Sequence, residues 1–271
     1  MARVVLTPVT PELIERLEAP LDAFGIARAE ELAELPGNPL GLQIERFGRV
    51  FAPAALAAPE LDFVNRITGL GPGDGERVAE ILSFYGDLAL RPWLEVTPGV
   101  QLSAEAALLG FQSVLFGPVS EVAEPSLPVR ETDDVGATAR LLLDAFGVPP
   151  EIAERHAPAL ARATARTSGR TFVIDLDDRR VAGAILTTMD GLGCLAMAGT
   201  LPEFRGRGCQ SALITARIAA AADGGCDLIV ASAEFGSVSQ RNLERGGLTV
   251  AYTKPVLRLT PPSGRGHAAT A

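Results

Sequence analysis

Thr200-Leu201-Pro202-Glu203-Phe204-Arg205-Gly206-Arg207-Gly208-Cys209-Gln210-Ser211-Ala212-Leu213 is the most informative stretch of the chain. The apolar segment before it, Leu195 to Ala198, reads as a strand that stops at Gly199-Thr200-Leu201-Pro202. Beyond the arginines and glycines, Ser211 to Ala222 is built from strong helix formers and opens a helix. A strand, a Gly-rich turn and a helix N-terminus together make an anion site. The first helical N–H groups have no intrahelical partner, and the helix dipole adds partial positive charge. Gly206 and Gly208 let the backbone approach a bulky anion, while Arg205 and Arg207 add charge and forked donors. The expected ligand is a phosphate or pyrophosphate; a plain surface turn needing positive φ is the competing reading. The chain has no Gly-Lys-Ser/Thr nucleotide loop, and the turn lacks the dinucleotide glycine pattern.

This turn resembles the acyl-CoA pyrophosphate loop of the GNAT superfamily of N-acetyltransferases, whose signature is (Gln/Arg)-x-x-Gly-x-(Gly/Ala) after Val-x-Pro-Glu-(Tyr/Phe). Thr200 to Phe204 takes the lead-in, Arg205 and Gly208 match the signature, and Gln210 departs from it. The resemblance implies an α/β (α+β) fold with mixed, mostly antiparallel sheets and a central splayed pair of parallel strands. Here that pair is Cys194 to Thr200 and Leu228 to Ala233. It further implies acetyl-CoA as co-substrate, without a metal, held by Ala198, Gly199, Thr200, Arg205, Gly206, Arg207, Gly208, Cys209, Gln210 and Asn242. Backbone groups around Ala198 to Thr200 would hold the pantetheine arm and polarise the thioester carbonyl.

The rest of the second half fits the same order. Strand Val129 to Glu131, helix Asp134 to Phe146 and a helical stretch from Pro150 to Ala165 lead into a hairpin, Thr171 to Leu176 and Val181 to Thr188. After the loop helix and its Gly224-Gly225 stop come a buried strand, Leu228 to Ser232, and a short helix capped by Ser237 or Ser239. Closing strands run from Leu248 to Leu259.

The first half repeats part of this pattern without its arginines. A strand at Leu61 to Thr68, a Gly-rich turn at Gly69 to Gly75, a helix at Glu76 to Tyr85 and a strand at Trp93 to Val96 precede a helix at Ser103 to Leu109. A further strand opens at Gly110-Phe111. Gly71 to Gly110 and Gly208 to Gly247 are both 39 residues apart, as in a degenerate duplicate. Asp74 and Glu76 at the first helix start would repel a pyrophosphate. The expected division is a degenerate GNAT-like domain over 1–120, a Pro-containing linker over 121–128, a catalytic domain over 129–260 and a disordered tail over 261–271.

The net charge of −9 over 271 residues is uneven: residues 1–124 balance to −10 and residues 125–271 to +1. That argues against nucleic acid and favours a cationic acceptor. No apolar run suits a membrane span, and no basic-then-apolar leader opens the chain. Cys194, Cys209 and Cys226 lack metal spacing and fit a reduced, cytoplasmic protein, monomeric or homodimeric. Cys209 sits at a helix start, where a thiol pKa falls, or is only a small residue beside the phosphate.

The resemblance places a tyrosine, as acid toward the departing thiolate, where this chain has Leu243. Ser239, Asn242 and Tyr252 are the nearby substitutes, with structural roles as the alternatives. Glu234 is the best-placed base and Asp190 the second, while His156 and His267 lie away from the cleft in sequence. The expected activity is acetyl transfer from acetyl-CoA to a small-molecule amine. A non-catalytic acyl-CoA binder, or an enzyme that uses another acyl group or decarboxylates an acyl-CoA, is the alternative.

Overall fold

Thr10 starts the first helix by accepting from the Leu13 amide at 3.3 Å, and Pro11 occupies the first turn, where no N–H is needed. Residues 9–61, 64–119 and 124–261 are described in the computed structural model of the chain. The first half contains α1 (Pro11–Ala33), β1 (Leu42–Phe47), β2 (Val50–Ala55), β3 (Arg66–Ile67), α2 (Arg77–Asp87), β4 (Trp93–Glu95) and β5 (Ala106–Pro118). The second contains β6 (Arg130–Thr132), α3 (Val135–Ala145), α4 (Pro150–Arg166), β7 (Arg170–Leu176), β8 (Arg179–Met189), β9 (Leu192–Thr200), α5 (Cys209–Asp223), β10 (Leu228–Glu234), α6 (Val238–Arg245) and β11 (Thr249–Leu259).

This is a mixed α/β fold. Among the described residues nine strands form one sheet in the order β3-β4-β11-β5-β10-β9-β8-β7-β6. β1 and β2 form an antiparallel hairpin tied to β3 by a bridge between Phe51 and Thr68. The sheet has a two-fold order about its centre. Outward from the antiparallel β11–β5 pair, one side runs β11, β4, β3 and the other β5, β10, β9. On each side the outer two strands are parallel and the inner contact is antiparallel. Each half therefore gives its last strand to the other half's side of the sheet.

α1, α3 and α4 pack on one face, where Phe24, Ala139, Leu142, Ala153, Leu160 and Ile185 form a core. α5 and α6 cover the other, with Leu213, Ile214, Ile218 and Leu243 against Leu186, Leu195 and Ala231. Gly199 lets α3 come close to β9: a Cβ there would lie 2.8 Å from the Ala145 Cβ. Glu31, buried on α1, receives Arg162 and Arg166 from α4 and fixes α1 over the sheet.

Several local expectations change. The helix expected at Ser103 to Leu109 is instead the start of β5, because both β11 and β10 pair with that strand and tertiary pairing overrides the helical leaning of Ala106 to Leu109. Gly110 thus lies mid-strand, whereas Gly247 is a left-handed turn before β11 (φ +94°), so the equal glycine spacing marks no structural equivalence. The strand expected from Leu61 is confined to Arg66–Ile67 among the described residues, with 62–63 outside them. The expected closing strands are one strand, β11, with register shifts at Val250/Tyr252 and Val256/Leu257. Ser237 rather than Ser239 caps α6, accepting from Gln240 at 3.1 Å. Of the expected linker, 124–128 are described and carry no helix or strand, while 121–123 and the expected tail from 262 onward lie outside the described residues. Among the described residues no helix is long and apolar enough to cross a membrane.

Candidate active site

β9 and β10 pair only from Leu192↔Leu228 to Cys194↔Val230 and then separate. β9 also carries a bulge: Ala196 and Met197 face the single residue Ile185 of β8, between the pairs Ala184↔Ala198 and Leu186↔Leu195. Arg217 holds that distortion from α5. Its Nη1 donates to the Ile185 carbonyl and its Nε to the Leu213 carbonyl, both at 3.1 Å. Burial lowers the Arg217 guanidinium to about 10 and raises the adjacent Cys194 thiol to about 12.

The split opens a cavity of about 340 Å³, a size suited to a small ligand. Residues 194–198 of β9 line it, with Gln210, Ile214 and Arg217 from α5 and Ser239 and Leu243 from α6. On the opposite face the walls come from α1, β2, β3, β4 and β11. The cavity thus joins the two sides of the sheet where β9 and β10 part.

At the α5 end of the cavity lies the loop that the sequence analysis expects to hold a phosphate. Gly206 (φ +77°) and Gly208 (φ +84°) are left-handed, and Gly208 is the α5 N-cap with no side-chain cap. Ala212 is the first amide to donate into the helix, to the Gly208 carbonyl at 3.0 Å. The amides of Cys209, Gln210 and Ser211 donate to no other described residue, so an uncapped donor set stands at the positive helix end. This donor set fits a pyrophosphate.

Arg205 shapes the loop: its Nε donates to the Thr200 carbonyl at 3.2 Å and its Nη2 to the Ala145 carbonyl at 2.8 Å. Arg207 is exposed and stacks over the Phe204 ring, 5.0 Å from its centroid. Cys209 is buried, and burial pushes its thiol up despite the helix start. Gln210 lines the cavity, and its amide oxygen is buried with no donor among the described residues.

Ala198 lines the cavity, whereas Gly199 and Thr200 pair with Gly183 and Ala182 of β8. Ser239 and Leu243 also reach the cavity. Glu234 is exposed at the end of β10 and is not on its wall. Asp190 lies in the exposed β8–β9 turn. Asn242 accepts from Arg245 on its own helix. Tyr252 donates to Glu18 Oε1 at 2.7 Å and does not line the cavity. His156 is buried on α4, and burial, then Arg155 and Arg28, lower its pKa. His267 lies outside the described residues.

The α1 end holds a group of charges that the sequence did not reveal. Lys254, the only lysine of the chain, is buried between Glu18 Oε2 at 2.9 Å and Glu95 Oε2 at 2.8 Å. Arg66 Nη1 closes on Glu95 Oε1 at 2.8 Å. Burial works against the Glu95 carboxylate, but Arg66 and Lys254 outweigh it and hold its pKa at about 2. Burial likewise opposes the Lys254 charge and is overcome by Glu95 and Glu18, so its pKa is raised. Asp22 and Arg28 line the same chamber. A solitary lysine in an arginine-rich chain was the one sequence signal for this cluster. Among the described residues no group of three or more His, Cys, Asp and Glu is placed to hold a metal ion.

Comparison with known proteins agrees with this architecture. Residues 136–235 match the family model described as an acetyltransferase (GNAT) domain. The fold extends over nearly the whole chain in solved structures. A GCN5-related N-acetyltransferase from Sphaerobacter thermophilus is similar with a TM-score of 0.56 and 14% identity, covering 94% of this chain and 95% of that one. A GCN5-related N-acetyltransferase from Kribbella flavida gives 0.55 at 16% identity, covering 89% and 96%. An acetyltransferase of the GNAT family from Colwellia psychrerythraea gives 0.53 at 12%, also covering 89% and 96%. At these identities the likeness is one of fold. No curated protein matches the chain in sequence.

Proposed function

We propose that the chain transfers an acetyl group from acetyl-CoA to the amine of a small molecule by direct attack in a ternary complex. The observation that carries this reading is the cavity at the β9–β10 split, with a phosphate-type loop at one end and a charged chamber at the other. Acetyl-CoA, when bound, supplies an acetyl group activated as a thioester. The first-turn amides of α5 and Arg207 would take its pyrophosphate, with Arg205 keeping the loop in shape. Backbone groups of residues 196–198, freed from β10 by the splay, would face the acyl carbonyl. Leu243 on the cavity wall cannot donate a proton, so the leaving thiol depends on its own stability as a thiolate.

The first half is read as a degenerate copy that binds no CoA. Supporting this are the two-fold strand order and the fate of its own Gly-rich turn, where Asp74 accepts from the Gly71 amide and from Arg49, both at 3.0 Å. A carboxylate already occupies the donors that an anion would need.

Calorimetric titration with acetyl-CoA tests the reading, with one site per chain expected. Arg205→Ala should weaken that binding several-fold. No heat and no melting shift at millimolar CoA would overturn the assignment, and two sites would overturn the inert first half. Thiol release on adding amines then separates transfer from binding without turnover, which is the alternative that Leu243 favours.

A further inference from the structure

One carboxylate in the cavity is left out of the ion network. Glu18 is held by Tyr252 and Lys254, and Glu95 by Lys254 and Arg66. Asp22 makes no hydrogen bond or ion pair among the described residues, yet it lines the cavity together with residues 194–198 at the strand split. It follows Glu18 by four residues on α1, so both carboxylates lie on one helix face. Leu21, Phe24, Phe51 and Phe146 supply apolar walls nearby. An ionised carboxylate in such surroundings is unfavourable until a cation joins it.

We infer that Asp22 binds the ammonium group of the acceptor and takes its proton, and that the acceptor is a primary amine on a compact apolar or aromatic body. This inference rests on the proposed acetyl transfer and names its acceptor site. The charged groups around Asp22 are Glu18 and Arg28 on α1, Arg66 on β3, Glu95 on β4 and Lys254 on β11, with Arg217 of α5 also on the cavity wall. Burial first, and Glu18 second, raise the Asp22 carboxyl to about 7 against the pull of Lys254 and Arg66. Acid and carboxylate then interchange near neutrality, as a proton acceptor requires.

The proton and electron count closes. The ammonium gives one proton to the Asp22 carboxylate, and the freed lone pair forms the N–C bond to the thioester carbonyl carbon. The C–S electron pair leaves on sulfur, and a second proton from nitrogen neutralises it. Amide and thiol result, and Asp22 returns its proton to water.

The test uses the full chain without CoA and 2-phenylethylammonium as probe, with the uncharged 2-phenylethanol as control. Calorimetry should give binding of the ammonium at about pH 8 that weakens about tenfold or more in Asp22→Asn, as for loss of a buried charge partner. Asp22→Glu should keep part of it, and the alcohol should bind both proteins alike. In the unmodified chain, affinity should fall by about tenfold between about pH 8 and pH 6 as Asp22 takes up its proton. That measurement stands if Asp22→Asn fails to melt cooperatively. Equal ammonium affinity in the unmodified chain and a folded Asp22→Asn, no ammonium binding at all, or affinity flat across that pH range would overturn the inference. CoA titration on the same samples reads the acetyl transfer separately, since loss of CoA binding leaves the ammonium result legible. With turnover established, kcat/KM for the amine should fall about 100-fold or more in Asp22→Asn, and the rise of the pH profile near 7 should vanish.

Discussion

Replacing Asp22 by Asn should make the protein more stable, and only at the alkaline end. Burial holds the folded carboxyl at about 7 against an ordinary 3.8. A raised acid keeps its proton in the native state after the unfolded chain has lost it. Between about pH 4 and pH 7 the native state therefore binds more protons, and stability falls as pH rises. The gap between the two values corresponds to about 4 kcal/mol. Asp22 retains some accessible surface on the cavity, so about 2–4 kcal/mol is the working range. Asn has nearly the same shape and no charge to desolvate. The variant should match the parent within about 1 kcal/mol near pH 4 and exceed it by about 2–4 kcal/mol at pH 8, or roughly 4–16 °C in Tm for a chain of this size. Thermal and urea melts across that range read the difference directly. An Asp22→Asn protein that is less stable at pH 8, or offset equally at every pH, would refute the reasoning. A gain in stability with a loss of ammonium binding is the trade expected of a functional site.

Lys254→Met should destabilise the fold by about 3–5 kcal/mol, because Glu18 and Glu95 would share a buried site without the cation between them; a melting temperature within 2 °C of the parent would contradict that. Gly208→Ala places a side chain at φ +84°, so about 1–2 kcal/mol of stability should go, together with most of the CoA affinity measured by calorimetry. Glu234→Gln should leave amine-dependent thiol release within about twofold, since that carboxylate is off the cavity wall, whereas a large fall would return it to the chemistry. Tyr252→Phe removes one bond to Glu18 and should cost about 1–3 kcal/mol in a urea melt, with little change in kcat.

The shape of the loop at residues 200–213 was legible because everything it needs is local: a strand end, two left-handed glycines and the first turn of a helix. The α3–α4 pair and the β7–β8 hairpin were legible for the same reason, from periodicity and turn chemistry. The chamber was not. Glu18, Asp22, Arg66, Glu95 and Lys254 come from α1, β3, β4 and β11, and only the assembled sheet with α1 across it brings them together. Glu234 stood out in sequence because it follows the splayed strand, but the end of β10 points it to solvent. α1 carries Pro20 and many acids, which hides a helix whose inner face is fixed by distant partners such as Arg162 and Lys254. The Ala106 to Leu109 segment misled because local helix preference says nothing of two waiting strand neighbours.

The exchange of last strands has a consequence for how the chain can be divided. A fragment beginning at residue 124 would keep the glycine loop before α5, the splay, most of the α5 core and the whole family-matched segment. It would lack β5, however, and β10 and β11 would each lose the neighbour that now lies between them. Two bare edges facing an empty lane invite intermolecular pairing, so the fragment should aggregate rather than fold. Mixed with the complementary piece ending at residue 119, it should become soluble, each fragment acting as the other's template. The first half, on this view, is an assembly partner for the second, and trimming it to simplify the protein would remove the lane on which the second half closes.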